Sequence, residues 1–226
     1  MTWDPDRVRA VTLDSFSTVV DIDSTAPAVA DLVSDPVAFA RRWHRLAATY
    51  GMRGNLIGTY ATYFELHVDA LEALLAREGI QPDRTELRER TEIYYDMDVF
   101  ADVEPALDRL REQGYLLGIV SNGDPAMVSA MVETAELEPF LDAVVSADEI
   151  RQHKPARALY EHAADRLGVE TKSVAHVSNG YADVQGAMHA GMQGVWLDRE
   201  GNPPDPFGPT PDLRLESLVD LLRPTE

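Results

Sequence analysis

The sequence predicts an α/β protein, a doubly wound parallel-sheet core with a helical cap inserted after the first strand. Three observations carry this reading. Short apolar runs ending in polar residues recur along the chain, helical patterns separate them, and the first two runs lie far apart with helices of their own between them.

The apolar runs cover residues 8–13, 116–120, 143–145, 174–177 and 194–197, each the length of a strand buried on both faces. Helical spacing follows at 103–113, 126–135, 156–167, 182–190 and 215–222. Strands alternating with helices are the pattern of a Rossmann-like sheet, whose site lies at the carboxyl ends of the strands. A single crossover needs only a dozen or so residues, yet about a hundred separate the first two runs. Within that gap, 36–50 places Phe39, Trp43, Leu46 and Tyr50 on one face. Helices are also expected at 59–78 and 85–97, broken by Gly79-Ile80-Gln81-Pro82. The expected division is a core of 1–21 and 99–226 and a cap of 22–98, with the proline-rich stretch 202–211 as a surface loop.

Composition narrows the chemistry. The 226 residues contain no cysteine, which excludes disulfides, thiolate metal sites and a cysteine nucleophile. No apolar run approaches the roughly 18 residues that span a bilayer, and residues 1–11 lack a secretory pattern, so a cytoplasmic protein is expected. The 39 acidic and 20 basic side chains give a net charge of −19, which disfavours nucleic acid and anionic membranes as partners. Lys154 and Lys172 are the only lysines. An acid-rich, lysine-poor chain fits a salt-rich cytoplasm; the plainer alternative is an acidic protein biased toward arginine.

Four clusters at strand ends carry candidate chemistry. Asp14 follows the first strand and precedes Ser15-Phe16-Ser17-Thr18, a carboxylate beside backbone N–H groups able to hold an anion, or simply the start of a turn. Ser121-Asn122-Gly123 stands between strand and helix, as an anion site or a helix cap. Lys154 in His153-Lys154-Pro155 is a compact ammonium in a chain that otherwise uses arginine, suited to a nucleophilic carboxylate, unless chance placed it there. Asp183 in Ser178-Asn179-Gly180-Tyr181-Ala182-Asp183 either holds Lys154 or a water, or complements a helix dipole.

The four clusters, in this order and with the cap after the first strand, resemble the haloacid dehalogenase superfamily over almost the whole chain. Phosphatases of that superfamily place a second aspartate where this chain has Phe16 and usually an acidic metal ligand where it has Asn179. Asp14-Ser15-Phe16-Ser17-Thr18-Val19-Val20-Asp21, Ser121-Asn122-Gly123-Asp124-Pro125-Ala126-Met127, Lys154-Pro155 with Tyr160, and Ser178 with Asp183 instead resemble the L-2-haloacid dehalogenase branch. Tyr63-Phe64 and Asp69-Ala70-Leu71 continue the likeness in the cap. The chain departs from the branch at His44, which follows Trp43 where a halide-cradling arginine is usual. It departs again at Ser17 for a glycine, and at Gly180 and Ala182 for an asparagine and an aromatic.

The resemblance implies that Asp14 displaces halide from a 2-haloalkanoate and that water then hydrolyses the aspartyl ester to a 2-hydroxy acid. It implies a catalytic set of Asp14, Thr18, Lys154, Ser178 and Asp183. Substrate and halide contacts are expected from Ser15, Phe16, Ser121, Asn122, Tyr160 and either Arg42 or His44. No cofactor or metal is expected, and the chain is expected as a monomer or homodimer. A Mg²⁺-dependent small-molecule phosphatase and a non-catalytic binding protein on the same fold remain the alternatives. The charge itself generates a prediction. Because the Debye length shrinks from about 10 Å at 0.1 M salt to about 3 Å at 1 M, the thermal midpoint should rise with KCl. A midpoint that does not move on reaching multimolar KCl would remove the salt-adaptation reading.

Overall fold

The computed structural model describes residues 3–221. Among these residues six parallel strands form one sheet in the order β3-β2-β1-β4-β5-β6. They are β1 (Ala10–Leu13), β2 (Leu116–Ser121), β3 (Ala143–Ser146), β4 (Val174–Ser178), β5 (Gln193–Leu197) and β6 (Leu213–Leu215). Every residue of β1, β4 and β5 is buried, as expected of a sheet covered on both faces. The chain leaves β1 in one direction to reach β2 and β3, then returns to the other side of β1 as β4. That reversal opens a crevice at the carboxyl ends of the strands. Leu13 pairs with Ile119 and with Val177, so Asp14, Ser121 and Ser178 leave the sheet at nearly one level.

Helices α4 (Val103–Glu112), α5 (Pro125–Thr134), α6 (Arg157–Leu167) and α7 (Tyr181–His189) occupy the expected places. The cap helices are α1 (Pro36–Ile57), α2 (Tyr63–Arg77) and α3 (Arg84–Thr91). Their starts are fixed by side-chain caps: Asp35 accepts from Ala38 N–H, Thr62 from Glu65 N–H and Asp83 from Glu86 N–H. A continuous apolar cluster runs from Val11 and Val177 in the sheet through Phe16 and Val20 to Phe39, Trp43 and Leu71 in the cap. Cap and core therefore share one hydrophobic interior.

Several boundaries differ from the sequence reading. Helix α1 continues past Tyr50 to Ile57, because Gly51 does not break it; that glycine lets the His153 side chain approach to about 3.0 Å of where a Cβ would stand. Helix α2 begins at Tyr63, where Thr62 supplies the cap, rather than at 59. The third cap helix ends at Thr91 and tightens into a 3₁₀ turn, Glu92–Tyr95. At the end of the chain the expected helix 215–222 is replaced by β6 and a short 3₁₀ turn, Leu218–Asp220, with residue 222 outside the described residues. Asp198 N–H donates to Leu215 C=O at 2.8 Å and pulls this segment onto the sheet edge. Among the described residues no helix is long and apolar enough to cross a membrane.

Gly186 in α7 lies against the start of α6 and the proline before it. A Cβ there would lie 2.6 Å from Pro155 Cβ and 2.7 Å from the Tyr160 hydroxyl. Gly186→Ala should cost about 1–3 kcal/mol in a denaturant titration, the range for overpacking a filled interior. An unchanged midpoint would mean that the α6–α7 contact yields more easily than this packing implies.

Candidate active site

Strand β1 ends in Asp14, whose N–H donates to Val177 C=O at 2.9 Å and fixes the carboxylate over the crevice. The turn that follows doubles back on itself, with Val19 and Val20 N–H both donating to Ser15 C=O. Ser17 takes the left-handed backbone conformation, φ 63°, which explains why a glycine suits this position. The N–H groups of Ser15 and Phe16 are left without a protein acceptor among the described residues.

The Lys154 ammonium sits between two carboxylates, 2.7 Å from Asp14 Oδ1 and 2.8 Å from Asp183 Oδ2, with only 5% of its side chain exposed. Its position is set from several directions. Lys154 N–H donates to Asn122 Oδ1 at 2.8 Å, while Asn55 from α1 clamps the preceding residue by accepting His153 N–H at 3.0 Å and donating to His153 C=O at 2.6 Å. Asp183 Oδ1 accepts from the Tyr160 hydroxyl at 2.6 Å and pairs with His176 Nε2 at 3.1 Å; His176 Nδ1 in turn meets Thr12 Oγ1 at 2.9 Å. Around Asp14 Oδ2, Thr18 and Ser178 hydroxyls approach to 3.3 and 3.4 Å, each fixed by accepting a backbone N–H, from Asn179 and Gly180 respectively.

The shared ammonium acts unequally on its partners. Burial pushes the Asp14 carboxyl above the usual carboxylate range; Lys154 opposes this and the charge of Asp183 adds to it. Asp183 is also desolvated, but Lys154 and His176 outweigh that and hold it far below the usual range. Lys154 is raised although burial opposes its charge, because both carboxylates favour the ammonium. The result is a committed carboxylate at Asp183 and a more basic, more nucleophilic one at Asp14.

Beyond Asp14 lies a cleft of about 750 Å³ whose walls include Phe16, His44, Arg45, Tyr63, Asn122 and Asn179. The Phe16 ring packs against His44, Tyr63 and Tyr94 at centroid distances of 5.5, 5.5 and 6.0 Å, which makes one side aromatic. Burial, with the nearby Asp14 charge added, pushes the Tyr63 hydroxyl well above its usual range, and the neighbouring Asn122 side chain opposes this. A partly buried carboxylate open to the cleft, a lysine beside it and an aromatic pocket suit nucleophilic displacement at a saturated carbon.

Comparison with known proteins agrees. The haloacid dehalogenase-like hydrolase family matches residues 8–191. The chain belongs to this family. It is 32% identical over 202 residues to (S)-2-haloacid dehalogenase 4A of Burkholderia cepacia, covering 88% of this chain and 87% of that one. A crystal structure of an L-2-haloacid dehalogenase superposes with a TM-score of 0.89 at 30% identity, covering 95% and 97% of the two chains. The L-2-haloacid dehalogenase of Xanthobacter autotrophicus with chloropropionic acid covalently bound gives 0.87 at 26% identity, covering 95% and 96%.

In this haloacid dehalogenase-like hydrolase the structure gathers Asp14 and Asp183 around the Lys154 ammonium, sets the Thr18 and Ser178 hydroxyls beside the other Asp14 oxygen, and puts Phe16, Asn122 and His44 on the cleft wall. The side chains of three residues expected at the substrate, Arg42, Tyr160 and Ser121, stand elsewhere. Arg42 points to solvent, over the Phe39 ring and 3.5 Å from Glu78, because the 100° step of an α-helix that turns His44 to the cleft turns Arg42 away. Tyr160 is fully buried behind Asp183 and supports that carboxylate instead of meeting substrate. Ser15 and Ser121 are buried below the cleft floor, their hydroxyls bonded to each other at 2.6 Å. The sequence reading missed Asn55, His67, His176 and Arg199. Of these only His176 carried a signal, a polar residue inside the apolar run 174–177, seven residues before Asp183.

Because Asp14 must be ionised to attack and its folded pKa is raised, kcat/KM should fall as pH drops through a value above the ordinary carboxylate range. In Lys154→Met that acid limb should move up by about 1–3 pH units, the effect of removing an adjacent cation. A limb left in place by the substitution would show that Lys154 does not govern Asp14.

Proposed function

We propose that this protein hydrolyses 2-haloalkanoic acids to 2-hydroxy acids through an ester on Asp14, with residues 22–98 acting as the cap over the cleft. The observation that carries this reading is the Asp14 carboxylate at the end of β1, held 2.7 Å from the Lys154 ammonium and facing an aromatic-walled cleft. In the first step an Asp14 carboxylate oxygen attacks carbon 2, and the halide leaves with the bonding electron pair. In the second, water adds to the Asp14 carboxyl carbon and the acyl–oxygen bond breaks. The hydroxy acid departs, Asp14 is regenerated with an oxygen from water, and one proton goes to solvent.

The substrate carboxylate fits the unpaired N–H groups of Ser15 and Phe16, beside the Asn122 side chain. Lys154 balances charge as Asp14 passes from anion to ester and back, and its hold on Asp183 keeps it in place when Asp14 is esterified. Asp183, Thr18 and Ser178 surround the ester carbonyl and orient the water that attacks it. At the two positions where a phosphatase would place oxygen ligands, Phe16 contributes a ring to the aromatic wall and Asn179 donates its amide to Leu197 C=O at 3.0 Å. Both assignments support a metal-independent displacement. A dehalogenase relative holding chloropropionic acid covalently supports the ester intermediate.

A single turnover with excess enzyme in ¹⁸O-labelled water should place the label in the Asp14 carboxylate, since water attacks the ester carbonyl and not carbon 2. EDTA should leave the rate unchanged, and Asp14→Asn should abolish turnover. Label found only in the hydroxy acid, or Mg²⁺-dependent phosphate release with no halide from 2-chloropropionate, would overturn the assignment.

A further inference from the structure

Two histidines on adjacent cap helices stand beside the cleft with their hydrogen bonds in a fixed order. His67 is fully buried in α2, and its Nδ1 lies 2.8 Å from Tyr63 C=O. A carbonyl only accepts, so Nδ1 carries the proton. In the neutral ring Nε2 is then a lone pair, and the atom facing it, His44 Nδ1 at 3.4 Å, must be the donor. A neutral His44 therefore has its other lone pair on Nε2. That nitrogen has no protein partner among the described residues, and the ring lines the cleft.

The arrangement cannot invert while both rings are neutral. If His44 carried its proton on Nε2, its Nδ1 would have to accept from His67 Nε2–H, leaving the His67 Nδ1 lone pair against the Tyr63 carbonyl. His67 is also held by its surroundings: its ring centroid is 4.1 Å from that of Tyr94 and 4.5 Å from that of Tyr63, and its own C=O accepts from Trp43 Nε1–H at 2.7 Å. It has no room to turn its ring and find another acceptor.

An anion entering beside His44 consequently meets a lone pair. We infer that a halide binds there only as His44 takes up one proton from solvent at Nε2, and that His67, as a positioning residue, makes this uptake obligatory by locking the neutral tautomer. The inference rests on the dehalogenase reading for the identity of the anion and not for the linkage. The groups facing His44 are Arg45 on its own helix, His67 and Tyr63 on α2, Tyr94 after α3 and the uncharged Phe16 of the core. Burial, with the Arg45 charge added, lowers His44 to about 3, so the ring is neutral in the empty cleft. His67 is neutral for the same reason of burial, with the neighbouring His44 adding to it. A bound anion supplies the opposite charge that neither Arg45 nor the aromatic wall provides.

Bromide binding to the intact protein, measured by calorimetry in sulfate medium from pH 5.5 to 8, tests this. Affinity should fall about tenfold per pH unit, with close to one proton taken up per bromide when buffers of different ionisation enthalpy are compared. His44→Arg should bind bromide with no pH dependence. His67→Phe keeps a ring in the same aromatic niche but frees His44 to hold its proton on Nε2, so the pH dependence should flatten there too. The ¹⁵N shifts of the two rings should report Nδ1–H on both in the wild-type protein. Bromide affinity that is flat with pH in the wild type, absence of binding at every pH, or an Nε2–H tautomer at His44 would each overturn the inference. Halide release from 2-bromopropionate is measured separately. Proton-linked bromide binding without turnover would count against the dehalogenase reading and leave the linkage standing, whereas turnover with pH-independent bromide would do the reverse.

Discussion

Everything near the cleft depends on one buried ammonium shared by two carboxylates. Lys154 is taken out of water at a cost of several kcal/mol, and only the close approach of Asp14 and Asp183 offsets it. That constraint reaches outward. Asp183 must stay ionised to hold the lysine when Asp14 is esterified, which is why it is given His176 and the Tyr160 hydroxyl, and why His176 is oriented by Thr12 on β1. Residues of β1, β4, α6 and α7 thus serve one charge. A chain that has replaced nearly all its lysines by arginine keeps one where a compact three-proton donor can bridge two carboxylates, a geometry for which the flat guanidinium fork is poorly shaped.

The same constraint ties the cap to the core. Asn55 of α1 holds the backbone of His153, the residue before the lysine, and Gly51 lets the His153 ring lie against α1. The Tyr60 hydroxyl donates to the Asp148 carboxylate nearby. With a shared apolar cluster beneath, this side of the cap has little freedom to swing. At the mouth, the tie between α1 and the loop after β5 is the exposed pair of Arg41 with Glu200, at 2.9 Å. An exposed pair of this kind contributes about 1 kcal/mol or less, so it holds the mouth only weakly. Arg199, behind the nucleophile turn, is held more firmly: it bonds both oxygens of Asp102 and donates to Thr18 C=O, fixing the loop that carries Asp14 from the other side.

The sheet was legible because strands buried on both faces are written as plain apolar runs, and the four chemical clusters were legible because topology forces them to strand ends. What escaped the sequence has a physical pattern. Strand β6 is three residues at a sheet edge, with Arg214 lying over the Trp196 ring, too short and too mixed to stand out from a turn. The extension of α1 was hidden by Gly51 and Gly54, which read as breakers until the close neighbours that require them are seen. Arg42 was placed at the cleft from its nearness to Trp43 in sequence, but on a helix one residue is a quarter-turn or more, and only the packed structure says which neighbour faces inward. Tyr160 and Ser121 belong to the site but as its support and not its surface, a distinction that depends on how deep each side chain is buried. Partnerships such as Asn55 with His153, or His67 with His44, depend on where separate elements meet and leave no trace in a single sequence.

The charge of the whole molecule bears on how an anionic substrate arrives. A net −19 repels a haloalkanoate at low salt, and the arginines near the mouth are mostly occupied: Arg41 by Asp23 and Glu200, Arg199 by Asp102, while Arg42 faces away toward Glu78. Arg45 is the cleft-lining guanidinium without a carboxylate partner among the described residues. At a Debye length of about 3 Å, in molar salt, the distant surface carboxylates cease to act on an approaching anion, while a group in contact with it still does. High salt would therefore do more than screen self-repulsion in the folded chain. It would let one free arginine at the cleft wall outweigh a surface that, in dilute buffer, works against its own substrate.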